Sequence, residues 1–85
     1  MAYAVQLTPA AERDLKKLER AIRARVVRAL EGLASEPRPQ GSTKLSGKEN
    51  LWRVRVGDHR VLYAIEDRRL VVLVVKIAHR REVYR

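Results

Sequence analysis

Apolar and polar residues follow two different periods along the chain, which divide it into a helical part and a β part. In the first part the apolar positions step by three or four residues, as one buried helix stripe requires; they are Leu15, Leu18, Ile22, Val26, Leu30 and Leu33. Thr8 and Pro9 precede this stripe in the order of an N-cap and a first helical residue. No Pro or Gly interrupts residues 15–30, so the pattern alone leaves open one long helix or two.

Strand patterns lie on both sides of the helical part. The predicted strands are alternating or unbroken apolar runs, at residues 3–7, 51–56, 59–66 and 70–75. Gly57 and Asp58 predict a tight hairpin turn. Residues 37–49, rich in Pro, Gly and Ser, predict a loop. The run 70–75 predicts a central strand covered on both faces, one of them by the helical part, and the chain is expected to leave the core from His79.

The length and residue usage limit the class of protein. A chain of 85 residues is expected to form a single domain, residues 1–85. It has no cysteine, which excludes disulfides, thiolate chemistry and metal sites built on sulfur. The N-terminus has no apolar stretch of signal-peptide length, and residues 70–75 are too few to cross a membrane. We therefore expect a cytoplasmic protein without a membrane partner.

The charge points to a polyanionic partner. The formal net charge is +9, and fourteen arginines stand against five lysines. The expected partner is nucleic acid, the ribosome or an acidic protein, and the excess of arginine favours planar, bidentate recognition of phosphate. The alternative interpretation is a generic basic surface with no specific ligand.

The arginines of the β part are the candidate phosphate-binding group. Arg53 and Arg55 alternate on one strand and share a face, about 7 Å apart. Arg60 follows the turn and can neighbour them if the strand register agrees, which the sequence does not reveal. An alternative is that Arg53 and Arg55 form the solvated face of an edge strand, where they discourage aggregation.

The segments G-D-H-R-V-L-Y and A-H-R-R-E-V-Y-R, with the order of the elements, resemble the RelE branch of the RelE/ParE toxin superfamily. These are the toxic partners of type II toxin–antitoxin pairs. The resemblance implies an α+β fold, with an N-terminal helical hairpin packed on a small, curved, mostly antiparallel sheet. It also divides the helical part near Arg20.

The resemblance further implies an activity and its residues. RelE-type toxins cleave mRNA in the ribosomal A site by attack of the 2′-hydroxyl, without a metal or other cofactor. The catalytic positions carried onto this chain are Arg53, Arg55, Arg60, Arg80 and Tyr84, and RNA contacts are expected from Lys44, Lys48 and Arg81. Well-known members have lysines where Arg53 and Arg55 stand here. Because arginine does not give up its proton, His79 is the preferred general base.

The partners implied are a cognate antitoxin, the ribosome and mRNA, with operator DNA reached only through the antitoxin. Two other functions stay open. The chain can be a ParE-like toxin that inhibits DNA gyrase by protein contact, or a catalytically inactive relative that still binds RNA.

Overall fold

The computed structural model describes residues 2–45, 47 and 50–79. This part of the chain contains two helices and five strands. In chain order they are β1 (Ala4–Leu7), α1 (Pro9–Lys17), α2 (Arg20–Ser35), β2 (Thr43–Lys44), β3 (Leu51–Val56), β4 (His59–Glu66) and β5 (Val71–His79). Among the described residues no helix is both long and apolar enough to span a membrane.

The helical part forms two helices. The Thr8 hydroxyl accepts a hydrogen bond from the Ala11 amide at 3.1 Å, and Pro9 opens α1, as the sequence predicts. Leu18 then adopts an extended backbone, with φ −73° and ψ 146°, and ends α1. A new helix begins at Arg20. The helical part therefore forms a hairpin of two helices, as the resemblance implies, and not one long helix.

The strands form one mixed sheet in the order β1-β5-β4-β3-β2. Only the β1–β5 pair is parallel, and the three other pairs are antiparallel, which confirms the expected α+β fold with a mostly antiparallel sheet. Strand β2 lies inside the segment predicted as a loop. Strand β5 is central, as predicted, but it continues to His79, where the sequence analysis expected the chain to leave the core.

The helices cover one face of this sheet. The apolar stripe of α2 contributes Val26, Leu30 and Leu33 to the core, where they meet buried side chains of β4 and β5. Tyr63 is fully buried there, as predicted, and its hydroxyl donates to the Pro37 carbonyl at 2.8 Å. On the other face Leu73 is only partly buried. The predicted packing of the helical part on one face of β5 is confirmed, and Val71 and Ala78 on the other face are also buried, with 7% and 4% exposure.

Three chain segments meet at one corner of the sheet. The Arg38 guanidinium binds the Asp67 carboxylate through two hydrogen bonds of 3.3 and 2.8 Å, and the Tyr3 hydroxyl donates to the same carboxylate at 2.7 Å. Arg38 also lies 5.4 Å from the centroid of the Trp52 ring. The hydrogen bonds from Arg38 and then Tyr3 lower the pKa of Asp67 below its usual 3.8.

Candidate nucleic-acid interface

The side chains of β3 alternate between the two faces of the sheet. Trp52 and Val54 pack against the core on the helix side. Because successive strand residues point to opposite faces, Arg53 and Arg55 project from the side that the helices leave uncovered. We call this uncovered side, defined by Arg53, Arg55 and Arg60, the arginine face.

The register of the β3–β4 hairpin brings the three arginines together. Arg55 pairs directly with Arg60, and Arg53 pairs with Leu62. Side chains paired in this way lie about 5 Å apart at Cβ, while Arg53 and Arg55 are about 7 Å apart along their strand. The register therefore places Arg60 beside Arg53 and Arg55, which the sequence alone did not reveal. The arginines form a triangle of permanent cations on a rigid two-stranded scaffold.

The turn between the two strands explains this register. Gly57 has a φ of +60°, while Asp58 is not in the left-handed region, as in a type II′ turn. A Cβ added at Gly57 would stand 3.2 Å from the exposed end of the Arg25 side chain, which is flexible, so the backbone conformation and not the available space favours glycine here. The two-residue turn fixes His59 opposite Val56 and therefore Arg60 opposite Arg55.

Two of the three arginines, Arg53 and Arg55, take no part in the ion pairs of the described residues. Within residues 2–45, 47 and 50–79 the ion pairs are Arg38–Asp67 and Arg69–Glu66. Neither pair includes Arg53 or Arg55, and the described contact of Arg55 is a hydrogen bond from its Nε to the Gly57 carbonyl at 3.3 Å. The guanidinium groups of Arg53 and Arg55, about 7 Å apart, favour an anionic ligand with several acceptor oxygens, such as a phosphodiester.

The structure places His79 away from the arginines. His79 pairs with His59 and their rings make an edge-on contact, with centroids 5.4 Å apart. Both line an open cavity of about 510 Å³ beside the α1–α2 junction, together with Lys17 and Arg25. His59 lies on the same face of β4 as the buried residues of that strand. His59 and His79 therefore both lie on the helix side of the sheet. The expected neighbourhood of His79 with the arginine group is not found, because β5 continues through this residue instead of folding back.

The other predicted residues are distributed as follows. Lys44 pairs with Trp52 and so shares the helix-side face, exposed to solvent. Lys48, Arg80, Arg81 and Tyr84 lie outside the described residues. The described part of the chain contains no group of three or more His, Cys, Asp or Glu side chains that could hold a metal ion.

One cation that the sequence analysis did not select also lies on the arginine face. Lys76 of β5 pairs with Leu62, whose own partner on β3 is Arg53. The sequence signal was slight, since Lys76 interrupts an otherwise apolar run and was taken only as the end of that run. Its face could not be predicted from alternation, because the register of β5 shifts just before it.

Comparisons with known proteins identify the class. A family model described as the ParE toxin of a type II toxin–antitoxin system matches residues 5–84. The toxin RelG of Mycobacterium tuberculosis is 36% identical over the whole of this chain and 99% of its own. The chain belongs to the RelE/ParE superfamily of type II toxin–antitoxin toxins.

Solved structures extend this relation to the fold. The toxin–antitoxin complex RelBE2 of M. tuberculosis contains a chain that is 33% identical, with a TM-score of 0.82, over 93% of this chain and 99% of that one. The archaeal RelE–RelB complex of Pyrococcus horikoshii contains one that is 29% identical, with a TM-score of 0.84, over 94% and 97%. These names are of the RelE type, whereas the family model has a ParE name.

Proposed function

We propose that this toxin is a ribosome-dependent endoribonuclease that cleaves mRNA in the A site. The observation that carries the proposal is the direct pairing of Arg55 with Arg60, with Arg53 beside them, on the face of the sheet opposite the helices. Three permanent cations on a fixed scaffold suit a phosphodiester whose negative charge increases during the reaction. A toxin acting only through protein contact needs no such convergence.

The proposed reaction is an intramolecular transesterification of the RNA backbone. The 2′-oxygen forms a bond to the adjacent phosphorus while the bond from phosphorus to the 5′-oxygen breaks, leaving a cyclic phosphate that can open to a 3′-phosphate. One proton leaves the 2′-hydroxyl and another is delivered to the 5′-oxygen. Arg55 and Arg60 hold the non-bridging oxygens and stabilise the pentavalent state, and Arg53 adds a third positive charge.

The remaining roles are assigned to residues outside the described part of the chain. Arg80 provides further stabilisation of the transition state, and Tyr84 stacks on or orients a base beside the cleaved bond. Since an arginine does not act as a base, Arg53 and Arg55 serve as charges alone. The position of His79 on the helix side argues against its earlier assignment as the base.

The proposed regulator is a cognate antitoxin. The two solved structures described above are toxin–antitoxin complexes, one of them named as a complex with RelB. For this chain we assign the antitoxin an acidic extended segment and a helix that cover the sheet and the helical groove. Operator DNA is then bound by the antitoxin and not by the toxin. The protein acts in the cytoplasm, where its ribosomal substrate is found.

Primer extension on an mRNA translated in a reconstituted system tests the cleavage. New RNA ends inside A-site codons are expected with the wild-type protein, and none when ribosomes are omitted. Arg60→Ala should abolish these ends. Arg28→Ala, an exposed change on α2, is the matched control and should keep them. Intact mRNA with the wild-type protein would contradict the proposal.

The family model favours one second candidate, inhibition of DNA gyrase in the manner that its ParE name indicates. Growth arrest by the Arg55→Ala/Arg60→Ala double variant separates the two functions. A ribonuclease loses its toxicity with these guanidinium groups, whereas a gyrase inhibitor retains it at equal protein level. A wild-type protein that binds RNA but produces neither RNA ends nor gyrase-dependent DNA breaks would be an inactive relative.

A further inference from the structure

We propose that Lys76 is a fourth cationic contact for the RNA backbone, aimed at the arginine face by a β-bulge at Val75. The inference rests on the proposed function, because it adds a residue to the same RNA site. Lys76 is exposed, and no described carboxylate forms an ion pair with it.

The bulge is visible in the pairing of β4 with β5. Tyr63 pairs with Val74 and the preceding residue, Leu62, pairs with Lys76, so Val75 has no partner across the ladder. In regular alternation Lys76 would share the face of Val72 and Val74, which are fully buried under the helices. The extra residue reverses the alternation and turns Lys76 to the arginine face.

The backbone groups around the bulge are held by the start of α1. The Thr8 amide donates to the Val74 carbonyl at 3.0 Å, and the Thr8 hydroxyl donates to the Val75 carbonyl at 3.3 Å. The Asp14 carboxylate accepts from the Ile77 amide at 3.0 Å. Ile77 returns to the core with 3% exposure. The bulge is therefore a fixed feature that buries its flanking residues while it exposes Lys76 between them.

The position of Lys76 relative to the arginines follows from the register. Lys76, Leu62 and Arg53 lie in one row across β5, β4 and β3. With strands about 5 Å apart, Lys76 and Arg53 are about 10 Å apart. Arg60 is the diagonal neighbour of Lys76, at about 7 Å. A phosphate held between Arg55 and Arg60 lies near the hairpin end, so we assign Lys76 to an adjacent phosphate of the same RNA strand.

The test is the salt dependence of binding to a short single-stranded RNA made uncleavable by 2′-O-methylation, followed by fluorescence anisotropy. The plot of log affinity against log salt concentration has a negative slope, and removing one phosphate contact makes that slope shallower by about 0.7. Lys76→Met should show this reduction with a loss in affinity of about two- to fivefold. Lys76→Arg should restore both values. Lys16→Met, which removes an exposed lysine from α1 on the helix side, should match the wild type.

The outcomes separate this inference from the proposed function. If the wild-type protein binds and cleaves RNA while Lys76→Met and Lys16→Met have the same slope and affinity, the role of Lys76 is overturned alone. Failure of Lys76→Arg to restore binding would also overturn it, because a phosphate contact needs only the positive charge. A wild-type protein with no salt-dependent RNA binding and no cleavage would overturn both.

Discussion

Arg55 lies directly opposite Arg60 across the β3–β4 hairpin, so two like charges occupy one cross-strand pair. Such pairs destabilise a sheet. We expect Arg55→Thr to raise the free energy of unfolding by about 0.5 kcal/mol and Tm by about 3 °C, while mRNA cleavage is lost. Arg53→Thr is the matched control, since Arg53 faces Leu62 and lies about 7 Å from Arg55, so its removal relieves less repulsion than loss of the direct pair. Equal Tm values for the two variants in a thermal melt would show that the Arg55–Arg60 repulsion is negligible.

Asp14 is expected to stabilise the fold through a single backbone contact, its hydrogen bond from the Ile77 amide beside the bulge. Asp14→Ala leaves that partly buried amide without its acceptor, at a cost of about 1–3 kcal/mol. Asp14→Asn keeps an acceptor oxygen and should lose less. Urea unfolding of the two variants measures the difference, and equal stabilities would mean that the hydrogen bond to Ile77 contributes little.

The corner formed by Tyr3, Arg38 and Asp67 predicts a stability change in acid. The folded state lowers the pKa of Asp67, chiefly through the hydrogen bond from Arg38 and then through Tyr3. A carboxyl with a lowered pKa contributes stability above its unfolded value, about pH 4, and loses it as the pH falls through the folded value. We expect Asp67→Asn to be less stable than the wild type at pH 7 and to show a flatter decline below pH 4.

Arg38→Met is the partner control for that measurement. It removes the other half of the ion pair and should flatten the same pH range in thermal melts. The double variant should then add little to either single change. A wild-type decline below pH 4 that is unaltered in both single variants would remove this corner as the origin of the acid sensitivity.

His79 is expected to have no part in proton transfer, because it contacts His59 in the helix-side cavity, on the face of the sheet opposite the arginine face. His79→Ala should therefore leave the shape of the pH–rate profile of mRNA cleavage unchanged. His59→Ala, which alters the same ring pair, is the control for indirect effects on folding. Loss of one limb of the profile in His79→Ala alone would return His79 to the role of general base.

Much of the fold could be predicted from local sequence signals. The Thr8 cap, the two-residue turn at Gly57 and the alternation of β3 are each complete within a few residues, and each is confirmed. Strand β2 was not predicted, because two residues in a segment rich in Pro and Gly carry no periodic pattern. The parallel pairing of β1 with β5 depends on contacts between the two ends of the chain, which no local window contains.

The candidate site was predictable only where alternation is regular. Arg53 and Arg55 share a face because β3 has no bulge, and the hairpin turn then fixes Arg60. Lys76 and His79 follow the bulge at Val75, which has no signature in an apolar run of valines. Because of this extra residue, each residue after Val75 points to the face opposite to the one that regular alternation predicts. The face of Lys76 was therefore not predictable, whereas His79 was selected as a general base for its chemistry and not for its position on a strand.

The pairing of β1 with β5 joins two segments that are synthesised at different times. The Thr8 side chain bonds to a carbonyl 67 residues further along the chain, at Val75. A nascent chain that has exposed only β1, α1 and α2 has no partner for its first strand, and contacts of such high sequence separation form late in folding. Strands β3 to β5, which build the arginine face, follow the helices in the chain. The arginine face can therefore form only after the helical hairpin has been synthesised.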